Sequence, residues 1–200
     1  ALTSAEVILP DVDSRWVAMH FVAFRFLIGT VSTLVILRAS RSGFSDPEVW
    51  KGGFSLGLIL ILGFLIQMVG LTDVTPAVSA FLTSLYVVFT AIMGVALGRQ
   101  RITSFMIFGV LLATFGAGWI SGPPRVEFGI GEWLTVISGF LFAMHIIVTD
   151  RVTRLVDPIQ STGTMMMTVM VLAFAILMID PLGYSLSLIH ISEPTRPSVI

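Results

Sequence analysis

The chain contains no cysteine, which excludes a disulfide framework and any thiolate metal site. Charge is scarce as well: 12% of residues are Asp, Glu, Lys or Arg, where soluble domains carry about 25%. The net charge of −1 offers no basic excess for phosphate, so nucleic acid is not an expected partner. The three histidines, His20, His145 and His190, lie far apart without ligand spacing, and no metal is expected. Neither an H-E-x-x-H helix nor a Gly-rich phosphate loop occurs, so no cofactor is expected. Residues 1–13 lack the basic stretch and apolar run of a signal peptide.

What remains is apolar. Hydrophobic residues make up 56% of the chain, and the mean hydropathy is +0.98. A soluble core of this size cannot hide so much apolar surface, so the solvent is lipid. A spanning helix needs about 20 mostly apolar residues. Six segments meet this: Trp16–Leu37, Gly52–Leu71, Pro76–Gly98, Ile102–Ser121, Trp133–Thr149 and Ile159–Ile179, the fifth being short. The reading predicts an all-α, polytopic membrane helix bundle. Short turn-forming links such as Ser42-Gly43, Asp73 to Pro76 and Gly122-Pro123-Pro124 leave no room for a soluble domain.

Basic residues set the expected orientation. One alternate set of loops holds Arg38, Arg41, Lys51, Arg99, Arg101, Arg151 and Arg154, and the other holds Arg15 and Arg125. Basic loops stay in the cytoplasm, so the first helix is expected to run inward in a cell (inner/plasma) membrane. Trp16, Trp50, Trp119 and Trp133 all fall at predicted span ends, as an interfacial aromatic belt requires. An even number of spans beginning outside leads us to expect at least one further helix upstream. At the other end, Leu186 to Arg196 reads LSLIHISEPTR, the in-frame translation of a transposase sequencing adapter, so residues 186–200 are expected to be non-native.

Lipid gives helices no hydrophobic reason to associate, and small residues must let backbones approach. Gly109, Ala113, Ala117 and Ser121 recur at spacing four, Thr90, Gly94 and Gly98 repeat the pattern, and Gly53 and Gly57 form a GxxxG pair. All three sets are expected to be packing seams.

Three motifs then occur in order. Phe24-Arg25-Phe26-Leu27 precedes a basic loop; Gly63-Phe64-Leu65-Ile66-Gln67-Met68-Val69-Gly70-Leu71 follows; Ala80-Phe81-Leu82-Thr83-Ser84-Leu85-Tyr86-Val87-Val88-Phe89 comes after a short polar link. A further pattern runs from Gly131-Glu132-Trp133-Leu134 through Phe142-Ala143-Met144-His145. Over residues 17 to about 180 the chain resembles the EamA-type transporters of the drug/metabolite superfamily. That resemblance implies about ten helices in two inverted five-helix repeats. Residues 1–121 would be a first repeat lacking its first helix, and 122–185 the start of a second. It further implies a small-molecule solute, a lipid bilayer, alternating access through a central chamber and, as one open assembly, a homodimer. Two positions depart from the family pattern: Gly98-Arg99-Gln100 replaces the usual Gly-Glu, and Val87 replaces the usual Pro.

Polar groups at membrane depth are the candidate solute-binding residues. Arg25 lies about 13 Å into its span, where a charge costs about 2.5–3.5 kcal/mol on insertion scales. It is expected to face a bundle interior, water or an anion, holding either backbone carbonyls or the solute. Ser79, Thr83, Tyr86 and Thr90, at intervals of four, three and four, fall on one helix face. They form either a cavity wall, which Arg25 could share with Tyr86, or a set of interhelical hydrogen bonds. Gln67 sits near the outer end of its span. His145 is either a proton-coupling group or a packed donor. No carboxylate lies at mid-depth in any predicted span. The cluster Met165-Met166-Met167-Met170 serves adaptable packing or lines a soft pocket. Two rival classes stay open. Gly53-Phe54-Ser55-Leu56-Gly57 matches G-x-S-x-G, and with His145 it spells an intramembrane hydrolase. A membrane assembly subunit without a chamber is the other.

Overall fold

The computed structural model of the protein describes residues 14–39, 46–98, 101, 103–121 and 129–179. The tail 186–200, Arg41, Arg99, Gln100 and Arg125 lie outside the described residues. Among the described residues seven helices follow one another: α1 (Ser14–Ala39), α2 (Pro47–Gly70), α3 (Pro76–Ser84), α4 (Tyr86–Ala96), α5 (Ser104–Ser121), α6 (Ile130–Val152) and α7 (Pro158–Ile179). Among the described residues there is no strand. Met19–Arg38, Pro47–Gly70, Pro76–Ala96, Ile130–Val152 and Pro158–Ile179 are long and apolar enough to cross a membrane, and the 18 residues of α5 occupy the fourth predicted span. The protein is a polytopic helix bundle.

Local capping explains where the helices depart from the hydropathy boundaries. α2 begins five residues before Gly52, because the Asp46 side chain accepts from the Glu48 N–H at 2.9 Å and Pro47 occupies the first turn. α6 is not short. Glu132 accepts from the Gly129 N–H at 3.0 Å and opens the helix ahead of Trp133, so the span runs for 23 residues. Asp157 caps α7 by accepting from the Ile159 and Gln160 N–H groups, each at 2.9 Å.

The predicted single span Pro76–Gly98 is interrupted at Leu85. There the Ser84 hydroxyl donates to the Phe81 carbonyl at 2.6 Å, and the Leu85 N–H turns to the Leu82 carbonyl at 3.2 Å. Serine back-bonding of this kind competes with the helical ladder and bends it. The interruption therefore needs no proline at Val87. Gly98 also differs from expectation. Its φ of +65° and its open surroundings make it the left-handed terminator of α4 rather than part of a seam.

Close glycine and ring contacts give the helix directions. Along α2, Gly52, Gly63 and Gly70 face Val152, Phe142 and Gly131 of α6, so the two helices are antiparallel. Gly53 and Gly57 face Thr164 and Thr168, so α7 runs parallel to α2. Phe24 meets Phe174 and Gly29 meets Met166, which makes α1 antiparallel to α7. Consecutive numbers also rise together in α3–α4 and α6, where Gly139 lies against Thr83 and Phe140 against Phe89. These directions are the ones that successive membrane crossings produce. α1 packs chiefly on α7 and touches α2 through Phe26 and Phe64, and α6 packs on both α2 and the α3–α4 pair.

The GxxxG pair Gly53/Gly57 is thus a seam, and Gly29, Gly63, Gly70, Gly131 and Gly139 extend the principle to other helix pairs. The α5 stripe behaves otherwise. A side chain at Gly109 would meet nothing within 4 Å, and Ala113, Ala117 and Ser121 have side chains outside the described set. Beside the apolar core, polar side chains are buried and large apolar ones face outward. Thr30, Ser79, Thr135, Ser138, Ser161 and Thr164 are buried, while Phe105, Phe108, Phe115 and Ile28 are exposed. Exposed Trp50, Trp119 and Trp133 stand near helix ends, where headgroups would lie.

Candidate functional site

The core that seats α1 comprises Met19, Val22, Ala23 and Phe26 packed with Ile61 and Met68 of α2 and Val169, Ala173 and Leu177 of α7. Arg25 immediately precedes Phe26 on α1. It is exposed at the edge of this core rather than enclosed by it. Its guanidinium carbon lies 5.4 Å from the Phe26 ring centroid and 5.2 Å from that of Phe64. Phe26 meets Phe64 edge-on at 5.8 Å, and Phe64 meets Phe142 at 5.4 Å. A ladder of three rings thus crosses α1, α2 and α6 with Arg25 at its end. Among the described residues Arg25 makes no hydrogen bond to a carbonyl or carboxylate, so the carbonyl-holding role is not the one seen.

One turn beyond Phe64 on α2, Gln67 donates from Nε2 to the Thr83 hydroxyl at 2.9 Å. Most other Ser and Thr hydroxyls bond to their own helix backbone, as Thr30 does to Phe26 and Thr135 to Gly131, each at 2.8 Å. The Gln67–Thr83 bond therefore stands out as a polar link between spans. It forms where Gly139 lets α6 come within 3.3 Å of the Thr83 carbonyl, measured to an ideal Cβ. Ser79, one turn before Thr83, is buried.

The stripe of four hydroxyls does not share one environment, because the interruption at Leu85 divides it. Tyr86 and Thr90 line an open cavity of about 430 Å³ with Val87, Ala91, Met106, Gly109, Val110 and Ile146. Thr90 spends its proton on the Tyr86 carbonyl at 2.7 Å. Neither Arg25 nor Gln67 nor Thr83 lines this cavity, so the structure does not bring Arg25 and Tyr86 into one described chamber.

His145 sits at the α6–α7 contact with Nε2 3.3 Å from the Met165 sulfur. Met166 fills the notch at Gly29, 3.1 Å from an ideal Cβ there, so part of the Met cluster works as adaptable filler between α7 and α1. The Ser55 hydroxyl donates to the Gly52 carbonyl at 2.8 Å within α2, and the flanking Gly53 and Gly57 face α7. That segment is regular helix rather than the strand-to-helix elbow a nucleophilic serine needs.

Phe26, Phe64 and Phe142 are the members of the site that sequence reasoning missed. Their ring ladder joins three helices, and a spacing rule on one helix cannot see it. The signal that was present is Phe64 three residues before Gln67, which puts both on one face. Thr164 was missed too. It is fully buried and donates to the Val49 carbonyl of α2 at 3.1 Å.

Apolar helices with alternating directions, glycine seams and a few polar side chains at depth define a polytopic membrane protein. The profile of the EamA-like transporter family matches residues 9–122, and the chain belongs to that family. Over 109 residues it is 32% identical to an uncharacterized transporter of Archaeoglobus fulgidus, a match that covers 54% of this chain and 35% of that protein. The chain thus spans about a third of the length of this curated relative. No solved structure matches. The chain is a multi-pass membrane member of this family.

Proposed function

We propose that the protein moves a small organic metabolite by alternating access, with Arg25, Gln67 and Thr83 at the solute path and Ser79 supporting Thr83. The observation that carries this is the Gln67–Thr83 bond one turn from the ring that holds Arg25. An ionisable group inside a membrane is a mark of a substrate path, and the Gln67–Thr83 pair beside Arg25 gives that path a polar wall. Tyr86 contributes a separate wall through the cavity between α4, α5 and α6. The 3.3 Å contact of His145 with the Met165 sulfur at the α6–α7 contact favours its packed-donor alternative over proton coupling. The reading assigns no catalytic residue. The end of the family match at residue 122 supports dividing the native chain into one repeat to 121 and the start of a second to 185, and two such chains would form the homodimer.

Flux through proteoliposomes tests the site. Gln67→Leu and Thr83→Val are each expected to lower solute uptake about tenfold, the effect of about 1.4 kcal/mol. The double variant is expected to be no worse than the weaker single, because each removes the same bond. Unchanged flux in both singles sinks the assignment.

The proposed sidedness places the basic ends inside the cell, in the plasma (inner) membrane. The contact of Gly52 with Val152 supports grouping Lys51 with Arg151 and Arg154 at one end of the bundle. The absence of native cysteine makes labelling simple. Single cysteines at Glu48 and Arg154 are expected to resist an impermeant maleimide in intact cells, and one at Thr72 to react. Reaction of all three from outside would refute the orientation.

A further inference from the structure

We infer that the Arg25 site recognises an organic carboxylate, held by the two-pronged edge of the guanidinium; this deepens the transport reading above and rests on it. The first argument is charge. Asp46, Glu48, Asp73, Glu132, Asp150 and Asp157 stand at helix ends or in links. Among the described residues Arg25 is therefore a mid-helix cation without a carboxylate at its depth. The anion that balances it comes from outside this set.

The second argument is how Arg25 is held. Phe26 and Phe64 attract a cation through their ring faces but accept no in-plane hydrogen bond. The N–H fork stays available, and its planar geometry matches the two oxygens of a carboxylate. Exposure at the edge of the core gives a ligand access. The neighbouring polar pair is already satisfied, since Gln67 and Thr83 bond to each other. Arg25 thus supplies the charge, and the rings supply an apolar seat for a short carbon chain. A cationic solute is repelled by the same arrangement.

The test measures binding to the full chain in lipid nanodiscs at neutral pH, with butyrate, its neutral isostere butyramide and butylamine as probes. Butyrate is expected to bind at least tenfold more tightly than butyramide, and butylamine not at all. Arg25→Gln is expected to bring butyrate down to the butyramide level and leave butyramide unchanged. Arg25→Lys keeps the charge but loses the fork, and is expected to lose most of the preference. Equal affinities for butyrate and butyramide in the unmodified protein overturn the inference, and this comparison decides even where Arg25→Gln does not fold. Full butyrate affinity in Arg25→Gln or Arg25→Lys overturns it as well, as does a carboxylate of another segment found paired with Arg25. The two readings fail separately. Butyrate binding without flux of any solute refutes transport and leaves the anion site. Flux of neutral solutes that butyrate does not compete with refutes the anion site and leaves transport.

Discussion

Gly57→Leu unseats α2 from α7. An ideal Cβ at Gly57 lies 2.7 Å from both Cβ and Cγ2 of Thr168 and 3.1 Å from the Met165 carbonyl oxygen. Turning the threonine moves its Cγ2 but not its Cβ, and the carbonyl belongs to a helix backbone and cannot move. Overpacking of this kind costs about 1–3 kcal/mol, and the upper end is expected here because one neighbour is rigid. The damage spreads, because α1 leans chiefly on α7, and Thr164 reaches across the same seam to the Val49 carbonyl at 3.1 Å. The melting temperature in mild detergent is expected to fall by roughly 6–12 °C, on the scaling of a few degrees per kcal/mol for a chain of this size. Gly109→Leu is the control, since a side chain there meets nothing within 4 Å. Equal losses in the two variants would show that the seam does not hold the bundle together.

Gly131→Val is expected to cost a similar amount at the opposite end of α2. Its Cβ would lie 2.8 Å from the Asp73 Cβ and the Val74 Cγ2, and 2.9 Å from the Gly70 carbonyl. The approach is mutual, with a Cβ on Gly70 falling 2.9 Å from the Gly131 carbonyl. The Val74 methyl can swing aside, but the Asp73 Cβ and the Gly70 carbonyl are fixed to the backbone and cannot. Because Gln67 lies on the last turn of α2, parting this crossing also pulls it away from Thr83, and solute flux is expected to fall with stability. Gly63 supplies the comparison: its neighbour is the Phe142 ring at 2.7 Å, the far part of a flexible side chain. Gly131→Ala is expected to lower the melting temperature clearly more than Gly63→Ala. The reverse order would mean that ring packing, not backbone approach, governs these contacts.

The parts of the architecture legible in the residues are those that depend on local composition. Apolar runs of about 20 residues have one stable outcome in lipid, because every backbone polar group must then be satisfied within its own segment. The runs from Trp16 to Ile179 therefore announced the helices, and the alternation of basic links announced successive crossings. Small errors arose where capping chemistry outweighs hydropathy. Asp46-Pro47 and Gly129 to Glu132 extend helices through polar residues that a hydropathy count stops at. The seam at Gly53 and Gly57 was readable because GxxxG on one helix is itself the contact surface. The α5 stripe has the same spacing, yet Gly109 meets no partner, so spacing alone does not distinguish a seam from an open face.

The site divides along the same line. Arg25 could be picked out from sequence because a charge in a greasy helix is costly wherever it sits, and Gln67 and Thr83 because polar groups at depth are few. Their grouping could not. Whether four hydroxyls at helical spacing share a face depends on the helix staying regular, and back-bonding at Ser84 ended that regularity. The ring ladder from Phe26 through Phe64 to Phe142 joins residues 116 positions apart in sequence (142 minus 26), which no local pattern encodes.

The amino-acid sequence by itself determined that the chain is helical, lies in lipid, crosses it repeatedly and carries one arginine at depth. Each of these follows from the transfer free energy of a residue and its near neighbours. Only the tertiary structure decided which helix stands beside which, that α1 packs chiefly on α7, and that Arg25 meets Phe64 while Gln67 meets Thr83. The reason is that lipid rewards apolar surface equally on every side. Helix neighbours are then selected by where glycines let backbones close and where polar groups find partners, and those are properties of pairs of helices rather than of any one.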